Sequence, residues 1–437
     1  MRLIIALLLV TSTTYAAPSS QGCNLDANLR DQFLKFHNQK RKELAEGRVS
    51  GYNPAKEMYR LDWSCELEKK AKDYIRSCPG RLDGLGSIGA SNIRFMVSRG
   101  SFSQAQVKDM IGQTLNEWWK NAQQYRLGPD NRYPSHGKLF NVASIINAAT
   151  TEVGCTYNVC GSSLEIMCLY DEVAYLTDKI LYDTGSPCRS SEECTTYRGS
   201  KCENGFCVKP YEKPDDGTNT KCRIKDRGMT DKIRKTILNL HNDFRSLVAR
   251  GKANDKLVNN GQGFAPQATK MLKMKYDCKL EEIASNYAKK CVYAHSTPDS
   301  RKLRGEQYPA GENLYTVSIP NADKNKAGAW ATRGWFSELK EFGVGRDNVL
   351  TQWLLDRQRT NPKMKIGHYT QMVWETTNRI GCGIEHCDGS YGDRRKQTLV
   401  VCNYMQTGNF INNKIYDVGT PCSKCPGTCT DDKLCTV

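Results

Sequence analysis

The sequence lacks any hydrophobic run long enough to span a membrane. Its apolar stretch at residues 3–10 is far shorter than the roughly 20 residues that a transmembrane helix needs. The stretch follows the basic Arg2 and precedes small residues around Ala16, a pattern typical of a secretory signal peptide. We therefore interpret residues 1–16 as a cleaved signal and expect a secreted, extracellular protein that is not an integral membrane protein.

Common signatures of hydrolytic enzymes are missing as well. The sequence contains neither a His-Glu-x-x-His motif nor a Gly-x-Ser-x-Gly nucleophile elbow. Cys-x-x-Cys spacing occurs once, at Cys422–Cys425, without the second unit that a zinc finger requires. Histidine is scarce, with six residues, so the candidates for an imidazole metal ligand are few.

Cysteine and positive charge, in contrast, are abundant. Behind a signal peptide, an even set of 20 cysteines indicates a disulfide framework formed in an oxidising compartment. The formal net charge of +16 favours acidic partners such as an anionic glycan or lipid headgroups, although a solvated basic surface explains it equally well. We expect no nucleic-acid partner, because no nucleic-acid motif is present.

The cysteines also reveal a tandem repeat. Cys65 and Cys78 are 13 positions apart, and so are Cys278 and Cys291. The matching continues along the chain until each copy ends in a short segment that holds four cysteines. The repeat predicts a 23–187 N-terminal domain, a 188–221 cysteine-rich hinge and linker, a 222–421 C-terminal domain and a 422–437 cysteine-rich tail.

Each copy carries ten cysteines. We therefore expect every bridge to stay within its own copy, although spacing alone leaves the connectivity open.

Apolar periodicity predicts helices early in each copy. Residues 233–248 have apolar side chains at i, i+3, i+4 and i+7 spacings, and a further helix is predicted at 330–339. Short β-type runs come late, at 369–374, 380–385 and 398–404. Helices followed by antiparallel strands predict an α+β layered sandwich.

Four segments of the second copy resemble the signatures of the CAP superfamily. They are His241-Asn242-x-x-Arg245, Gly311-Glu312-Asn313, 367–377 and 400–410, in which Gln406 departs from the usual residue. The tandem arrangement resembles the two-domain secreted, venom-allergen-like proteins of parasitic nematodes. The resemblance implies tandem α-β-α sandwich (CAP) domains, each with a central cleft and each followed by a small cysteine-rich segment.

The same resemblance implies a cleft that holds two histidines and two glutamates. Matched residue by residue, they are His295, Glu312, Glu338 and His368. Two neutral imidazoles are good ligands for a divalent transition ion, and carboxylates nearby can bind a metal-bound water. We expect a divalent metal, zinc first of all, in the C-terminal domain only; the alternative is a hydrogen-bonded set of cleft residues without metal.

The first copy has lost this tetrad. Counting from its cysteines and tryptophans, the corresponding positions are Leu82, Ser91, Asn121 and Asn141. His37 and His241 occupy equivalent positions on the first helix of each copy, where we expect a structural role.

These observations predict an extracellular interaction protein, not an enzyme. Its expected partner is a host cell-surface or extracellular protein at the host–parasite interface, and an anionic glycan or lipid is a further possibility. A sterol- or lipid-binding protein and a metal-dependent hydrolase are the alternatives. Hydrolysis would need an oxyanion donor that the sequence does not identify.

Overall fold

The computed structural model describes residues 22–79, 82–96, 102–222 and 228–437. The predicted signal peptide lies outside the described residues. The chain divides between Tyr211 and Glu212 into two compact units, which we call the N-terminal and C-terminal domains. Within the described ranges, no helix has the length and apolar character required to cross a membrane.

The N-terminal domain is built on a four-stranded sheet of order β2-β4-β5-β3, in which β2 and β4 are parallel and the other pairs antiparallel. In the described part of this domain four α-helices accompany the sheet, and short two-stranded ladders pair β1 with β6 and β7 with β8. The elements are α1 (Ala27–Ala45), β1 (Ala55–Lys56), β2 (Asp62–Trp63), α2 (Cys65–Ile75), β3 (Gly89–Met96), α3 (Gln104–Gln124), α4 (Phe140–Ile146), β4 (Glu152–Cys160), β5 (Ser163–Tyr170), β6 (Asp183–Thr184), β7 (Lys201–Glu203) and β8 (Phe206–Val208).

Alternation along β5 separates two helical layers. Ile166 and Tyr170 belong to the large apolar cluster that includes residues of α1, α3 and α4. Met167 and Leu169, which point to the opposite face, cluster with apolar residues of α2. The sheet therefore lies between α2 on one side and α1, α3 and α4 on the other, as in an α-β-α sandwich.

The C-terminal domain repeats this plan with sheet order β11-β13-β14-β12, again with one parallel pair, β11 and β13. Its first helix begins at the capping residue Thr230, whose hydroxyl accepts from the backbone N–H of Ile233. The elements are α5 (Asp231–Ala249), β9 (Asn254–Asp255), β10 (Gly263–Phe264), β11 (Lys275–Tyr276), α6 (Cys278–Ala288), β12 (Gly311–Val317), α7 (Lys324–Phe342), α8 (Gln352–Thr360), α9 (Gly367–Met372), β13 (Arg379–Asp388) and β14 (Lys396–Met405). The predicted α+β fold of tandem α-β-α sandwiches is confirmed.

Two local predictions were wrong. The run 369–374 was predicted as a strand, but Gly367–Met372 forms α9. Tyr369 to Met372 are buried at four consecutive positions, so their apolar and β-branched character reflects burial on all sides and not strand alternation. The prediction also missed β3 and β12, which precede the third helix of each copy and pair with β5 and β14, the last strands of the two four-stranded sheets.

A glycine at equivalent positions allows α2 and α6 to lie directly on their sheets. A Cβ atom on Gly154 would lie 2.2 Å from the backbone nitrogen of Glu68, and one on Gly381 would lie 2.2 Å from that of Glu281. Any larger residue would push the helix off the sheet, which explains why the Gly-Cys pair occurs in both copies.

All 20 cysteines are paired, and every bridge lies within one domain, as predicted. The two domains share one connectivity, and in each terminal segment the first cysteine joins the third and the second joins the fourth. The bridges are Cys23–Cys65, Cys78–Cys160, Cys155–Cys168, Cys188–Cys202 and Cys194–Cys207, then Cys222–Cys278, Cys291–Cys387, Cys382–Cys402, Cys422–Cys429 and Cys425–Cys435.

Both cysteine-rich segments dock on their own domain in the same way. In the first, the N–H of Cys207 donates to the carbonyl of Met58 at 2.9 Å, and Arg60 N–H donates back to the Cys207 carbonyl at 2.9 Å. In the second, Cys435 makes the same exchange with Met271 and Lys273, at 2.8 Å each. The segment 188–207 is therefore a fixed part of the N-terminal domain.

Candidate metal centre

The four predicted site residues come from four separate elements of the C-terminal domain. His295 follows α6 and the disulfide-bonded Cys291, whereas Glu312 is the second residue of β12. Glu338 lies in the last part of α7, and His368 is the second residue of α9. The structure brings these residues together as two imidazole–carboxylate pairs.

In the first pair, the carboxylate of Glu312 is surrounded by donors. Its Oε1 lies 2.9 Å from Nδ1 of His295 and accepts from the backbone N–H of Ser296 at 2.9 Å and from Nη1 of Arg301 at 3.1 Å. Its Oε2 accepts from the Ser296 hydroxyl at 2.7 Å. Because an ionised carboxylate only accepts hydrogen bonds, the neutral imidazole must carry its proton on Nδ1.

These donors also set the charge of Glu312. Burial alone would raise the pKa of its carboxyl, but the hydrogen bonds from His295 and Ser296, together with the charge of Arg301, outweigh burial and lower that pKa below its usual value. Glu312 is therefore an anion at neutral pH and a weak base.

The second pair joins α7 to α9. Oε1 of Glu338 lies 2.5 Å from Nδ1 of His368, while Oε2 accepts from the backbone N–H groups of His368 and Tyr369 at 3.1 and 3.0 Å. The indole of Trp335 stacks on the His368 ring with centroids 6.1 Å apart. The ring is therefore fixed by a carboxylate at its edge and an aromatic face beside it.

Asn313 connects the two pairs through β12. Its Nδ2 donates to the backbone carbonyl of His368 at 3.1 Å and to the hydroxyl of Tyr404 at 3.2 Å. Since Glu312 precedes Asn313 on the strand, both pairs lie at the same end of β12.

The outer ring nitrogen, Nε2, of each imidazole is the candidate metal ligand. Both carboxylates are buried, whereas the side chain of His295 is 60% exposed and that of His368 is 16% exposed. Among the described residues, Nε2 of neither ring has a hydrogen-bond partner. A histidine that ligates a metal ordinarily donates its other ring N–H to a carboxylate, and both rings do so here.

The carboxylates themselves are not placed as direct ligands. Within the described ranges, three ligand atoms lie within 4.8 Å of one another only around disulfide sulfurs, and no three tetrad residues meet that condition. The imidazoles of His295 and His368 are therefore the remaining candidates for direct ligands, and two such ligands alone would leave coordination positions open.

Strand register corrects one residue of the N-terminal comparison. Ala90 pairs with Leu169 in the position where Glu312 pairs with Asn403, so Ala90 and not Ser91 is the counterpart of Glu312. Counting along a motif without the register displaced the match by one residue.

The remaining counterparts confirm that the tetrad cannot form in the N-terminal domain. Leu82, at the position of His295, packs against the same apolar cluster that contains Ala90. Asn121 replaces Glu338 and donates from Nδ2 to the carbonyl of Lys138 at 2.7 Å. Asn141 stands at the position of His368.

His37 and His241, at equivalent positions on the first helix of each domain, have a structural role. Nδ1 and Nε2 of His37 contact the carbonyl of Phe33 and the hydroxyl of Tyr170 at 2.7 and 2.9 Å; His241 makes the same two contacts with Ile237 and Tyr404, at 2.8 and 3.0 Å. Full burial lowers the pKa of each imidazole to about 4. Both rings are therefore neutral and have no free nitrogen for a metal.

Sequence reasoning missed the residues that support the tetrad. Ser296 was within reach, because it follows His295 directly and carries a hydroxyl. Arg301 and Trp335 gave no such signal, since an arginine in a basic chain and a tryptophan in a helix ordinarily indicate a solvated surface and a core. Only the fold brings them to Glu312 and His368.

Comparison with known proteins relates both domains to the same protein family. The model of the family described as "CAP: Cysteine-rich secretory protein family" matches residues 34–170 and 238–404. The Ancylostoma secreted protein of Ancylostoma caninum is 43% identical over 415 residues, which cover 93% of this chain and 91% of that protein. The crystal structure of Na-ASP-1 is 40% identical and covers 97% of this chain and 100% of its own, with a TM-score of 0.69. A crystal structure of NaASP2 with Zn²⁺ is 41% identical and covers 48% of this chain and 98% of its own, with a TM-score of 0.42.

Proposed function

We propose that this chain, which belongs to the CAP family of cysteine-rich secretory proteins, is an extracellular interaction protein. The proposal includes a metal-capable cleft in its C-terminal domain. Its similarity along nearly the whole chain to a two-domain Ancylostoma secreted protein supports an action at the host–parasite interface. The partner in this proposal is a host cell-surface or extracellular protein.

The contrast between the two domains carries the proposal. The N-terminal domain keeps the sheet order, the disulfide connectivity and the buried His37, yet none of its four tetrad positions holds a His or Glu. The scaffold therefore does not require the tetrad for folding. Two buried carboxylates in the C-terminal domain, each paired with a partly exposed imidazole, support a role at the surface of the cleft.

His295 and His368 would hold the metal through Nε2, and Glu312 and Glu338 would fix the rings from behind. Zinc is the best candidate, because it accepts imidazole ligands and a low coordination number. When bound, the ion supplies a Lewis-acidic coordination position that a carboxylate or imidazole of a partner protein can fill.

A catalytic role is disfavoured by the state of the same residues. All cysteines are in disulfides, which removes a thiol nucleophile. Each carboxylate is saturated by hydrogen-bond donors, and the lowered pKa of Glu312 makes it a poor general base.

Lipid or sterol binding gains no support from the groove of about 460 Å³ between α1 and α3 of the N-terminal domain, whose lining residues are mainly polar. An acyl chain or sterol ring needs a predominantly apolar lining. The lining residues are Gln32, Ala105, Lys108, Asp109, Gly112, Gln113 and Asn116.

The test is calorimetric titration of the full chain with zinc chloride. We expect one site that the double variant His295→Ala with His368→Ala abolishes, because both ligands are removed while the disulfide frame remains. His136→Ala is the matched control, since it removes an exposed histidine of the N-terminal domain and should leave binding unchanged.

Partner capture completes the test. Wild-type protein should capture a host extracellular protein, and the double variant should retain its fold. Undiminished zinc binding by the double variant would refute the site. Repeated metal-dependent turnover of peptide, ester or phospholipid substrates, lost in the same variant, would show that the protein is an enzyme instead.

A further inference from the structure

One surface of the C-terminal domain combines exposed positive charge with a rigid support. It consists of the two residues that follow α6, the connection between β13 and β14, and the first residue of β14, and we call it the cationic hairpin surface. All of its basic side chains are exposed to solvent. They are Lys289, Lys290, Arg394, Arg395 and Lys396.

Backbone and disulfide contacts fix the hairpin on the helix. The N–H of Asp393 donates to the carbonyl of Cys291 at 3.1 Å, and the Asp393 carboxylate accepts from the N–H of Tyr293 at 3.2 Å. Cys291 itself is bonded to Cys387, just before the connection begins. A Cβ on Gly392 would lie 2.3 Å from the Cys291 carbonyl, so only glycine allows the hairpin to approach so closely.

Most of these cations form no ion pair with the described part of the protein, although Lys396 lies opposite Asp388 in the strand register, where hydrogen bonds from Ser390 and the charge of Lys396 lower the pKa of the Asp388 carboxyl. Within the described ranges, Lys289, Lys290, Arg394 and Lys396 have no carboxylate at ion-pair distance, and only Arg395 pairs with an acid, Asp393. Unpaired, closely spaced cations repel one another and create a strong positive potential that an anion relieves.

Tyrosine rings are interleaved with the charges. The guanidinium of Arg395 lies 5.5 Å from the ring centroid of Tyr293, and the ammonium of Lys290 lies 5.6 Å from that of Tyr287. Tyr391, near the tip of the connection, is 47% exposed. Such a ring offers a flat apolar face together with a hydroxyl group.

The N-terminal domain provides a natural contrast. Its corresponding strands, β4 and β5, are joined by residues 161–162 alone, whereas β13 and β14 are joined by 389–395. On α2, the helix equivalent to α6, Lys69, Lys70 and Arg76 form ion pairs with acids of the same helix. The unpaired charge is therefore an added feature of one domain and not a property of the scaffold.

We propose that the cationic hairpin surface binds a sulfated polysaccharide of the glycosaminoglycan type. The sulfate groups of such a chain pair with lysine and arginine, and a pyranose ring can stack on Tyr391. Because the hairpin is fixed before binding, little conformational entropy is lost when the polyanion docks. The proposal rests on the extracellular role proposed above but not on the metal cleft.

The experiment is heparin-affinity chromatography of the full chain, supported by titration at several salt concentrations. Replacing all five basic residues of the surface by glutamine should weaken binding at least about tenfold and flatten its salt dependence, as loss of counterion-releasing contacts does for other polyanions. The matched control replaces five exposed, ion-paired cations of the N-terminal domain by glutamine and should leave elution close to wild type. Those control residues are Lys35, Arg48, Lys69, Lys70 and Arg76.

Two further arms establish the chemistry. A variant that exchanges lysine for arginine and arginine for lysine on the surface keeps its charge and should keep most of its affinity. Desulfated heparin should fail to bind. Chelator, and the His295→Ala with His368→Ala variant, should leave heparin binding unchanged, which separates this proposal from that of the metal site.

Three results would overturn the proposal. One is elution of the glutamine variant from heparin at the same salt concentration as the wild type, and another is an equal loss of affinity in the N-terminal control variant. Heparin binding that disappears when chelator is added would also contradict it. Stronger binding to vesicles of equal amounts of phosphatidylserine and phosphatidylcholine than to heparin would assign the surface to a membrane instead.

Discussion

The two domains share the residues that hold their layers together and differ at the four tetrad positions. His37 and His241 bridge the first helix to a buried tyrosine hydroxyl of the last strand in the same way. Arg41 and Arg245, one turn further along, are fully buried and donate to backbone carbonyls. The scaffold chemistry of this fold is therefore separable from its cleft chemistry.

The loss of the cleft residues follows a physical logic. Leu82 and Ala90 replace His295 and Glu312 together, and both contribute to one apolar cluster. A buried carboxylate left without its donors would cost several kcal/mol, so a pair of this kind is lost as a pair. In the N-terminal domain, apolar residues thus occupy the positions of the first imidazole–carboxylate pair.

The largest difference in stability that we expect between matched variants of the two domains comes from a buried ion pair of the C-terminal domain. Nε and Nη2 of Arg234 donate to Glu281 at 2.7 and 2.8 Å, and both side chains are almost completely buried. Arg234→Met leaves a buried carboxylate that keeps the hydroxyl of Tyr276 as a donor at 2.7 Å but loses its positive partner, and should destabilise this domain by about 3–5 kcal/mol. Domain-resolved hydrogen exchange of the full chain measures the effect.

The N-terminal domain supplies the control. Arg30 is at the position of Arg234 but forms no ion pair within the described ranges, because Glu68 is satisfied by Trp63 Nε1 at 2.9 Å and by backbone N–H groups. Arg30→Met should change stability by less than about 0.5 kcal/mol. Equal losses in the two domains would show that Arg234 contributes no more to stability than the half-buried, unpaired Arg30.

A second prediction concerns a property that the domains share. Burial lowers the pKa of His37 and of His241 from 6.5 to about 4. The unfolded chain binds a proton below pH 6.5 while the folded chain does not, so unfolding becomes more favourable as pH falls from 6.5 to 4. Each histidine should cost its domain up to about 3 kcal/mol over this window, with full stability retained above it.

Denaturant titrations between pH 4 and 7 measure this loss. His37→Gln and His241→Gln should each flatten the pH dependence of their own domain, even if they lower its stability at pH 7. A pH dependence that persists unchanged in both variants would mean that other groups cause the acid sensitivity.

The shared features were also the easiest to predict from the sequence. The spacing of the cysteines predicted both the tandem repeat and the confinement of the disulfide bridges to each copy, because covalent pairing depends on few residues. The strand predicted at 369–374 failed, since a short apolar run buried on all sides has no period to distinguish helix from strand.

The cleft was predictable only in part. The resemblance identified His295, Glu312, Glu338 and His368, and the fold groups them as two pairs. Which of these residues contact one another depends on side-chain directions, which the sequence does not show. Each carboxylate contacts the ring nitrogen of one histidine, and no three of the four residues come together. The displaced match of Ser91 has the same origin, because strand register is a long-range property that local motifs do not contain.

The smallest effect we expect tests those carboxylate roles directly. Glu338→Gln keeps the size of the side chain but replaces an anionic acceptor by a neutral amide, which weakens its hold on Nδ1 of His368 and lowers the basicity of Nε2. If the proposed site binds zinc, the affinity should fall about 10- to 100-fold without being abolished, as for other carboxylates that support a ligating histidine. Calorimetric titration of the full chain measures the zinc affinity. Asn121→Ala, at the equivalent N-terminal position, should leave that affinity unchanged. Complete loss of zinc binding in Glu338→Gln would mean that the carboxylate is itself a ligand, whereas unchanged affinity would mean that Trp335 and the backbone suffice to orient the ring.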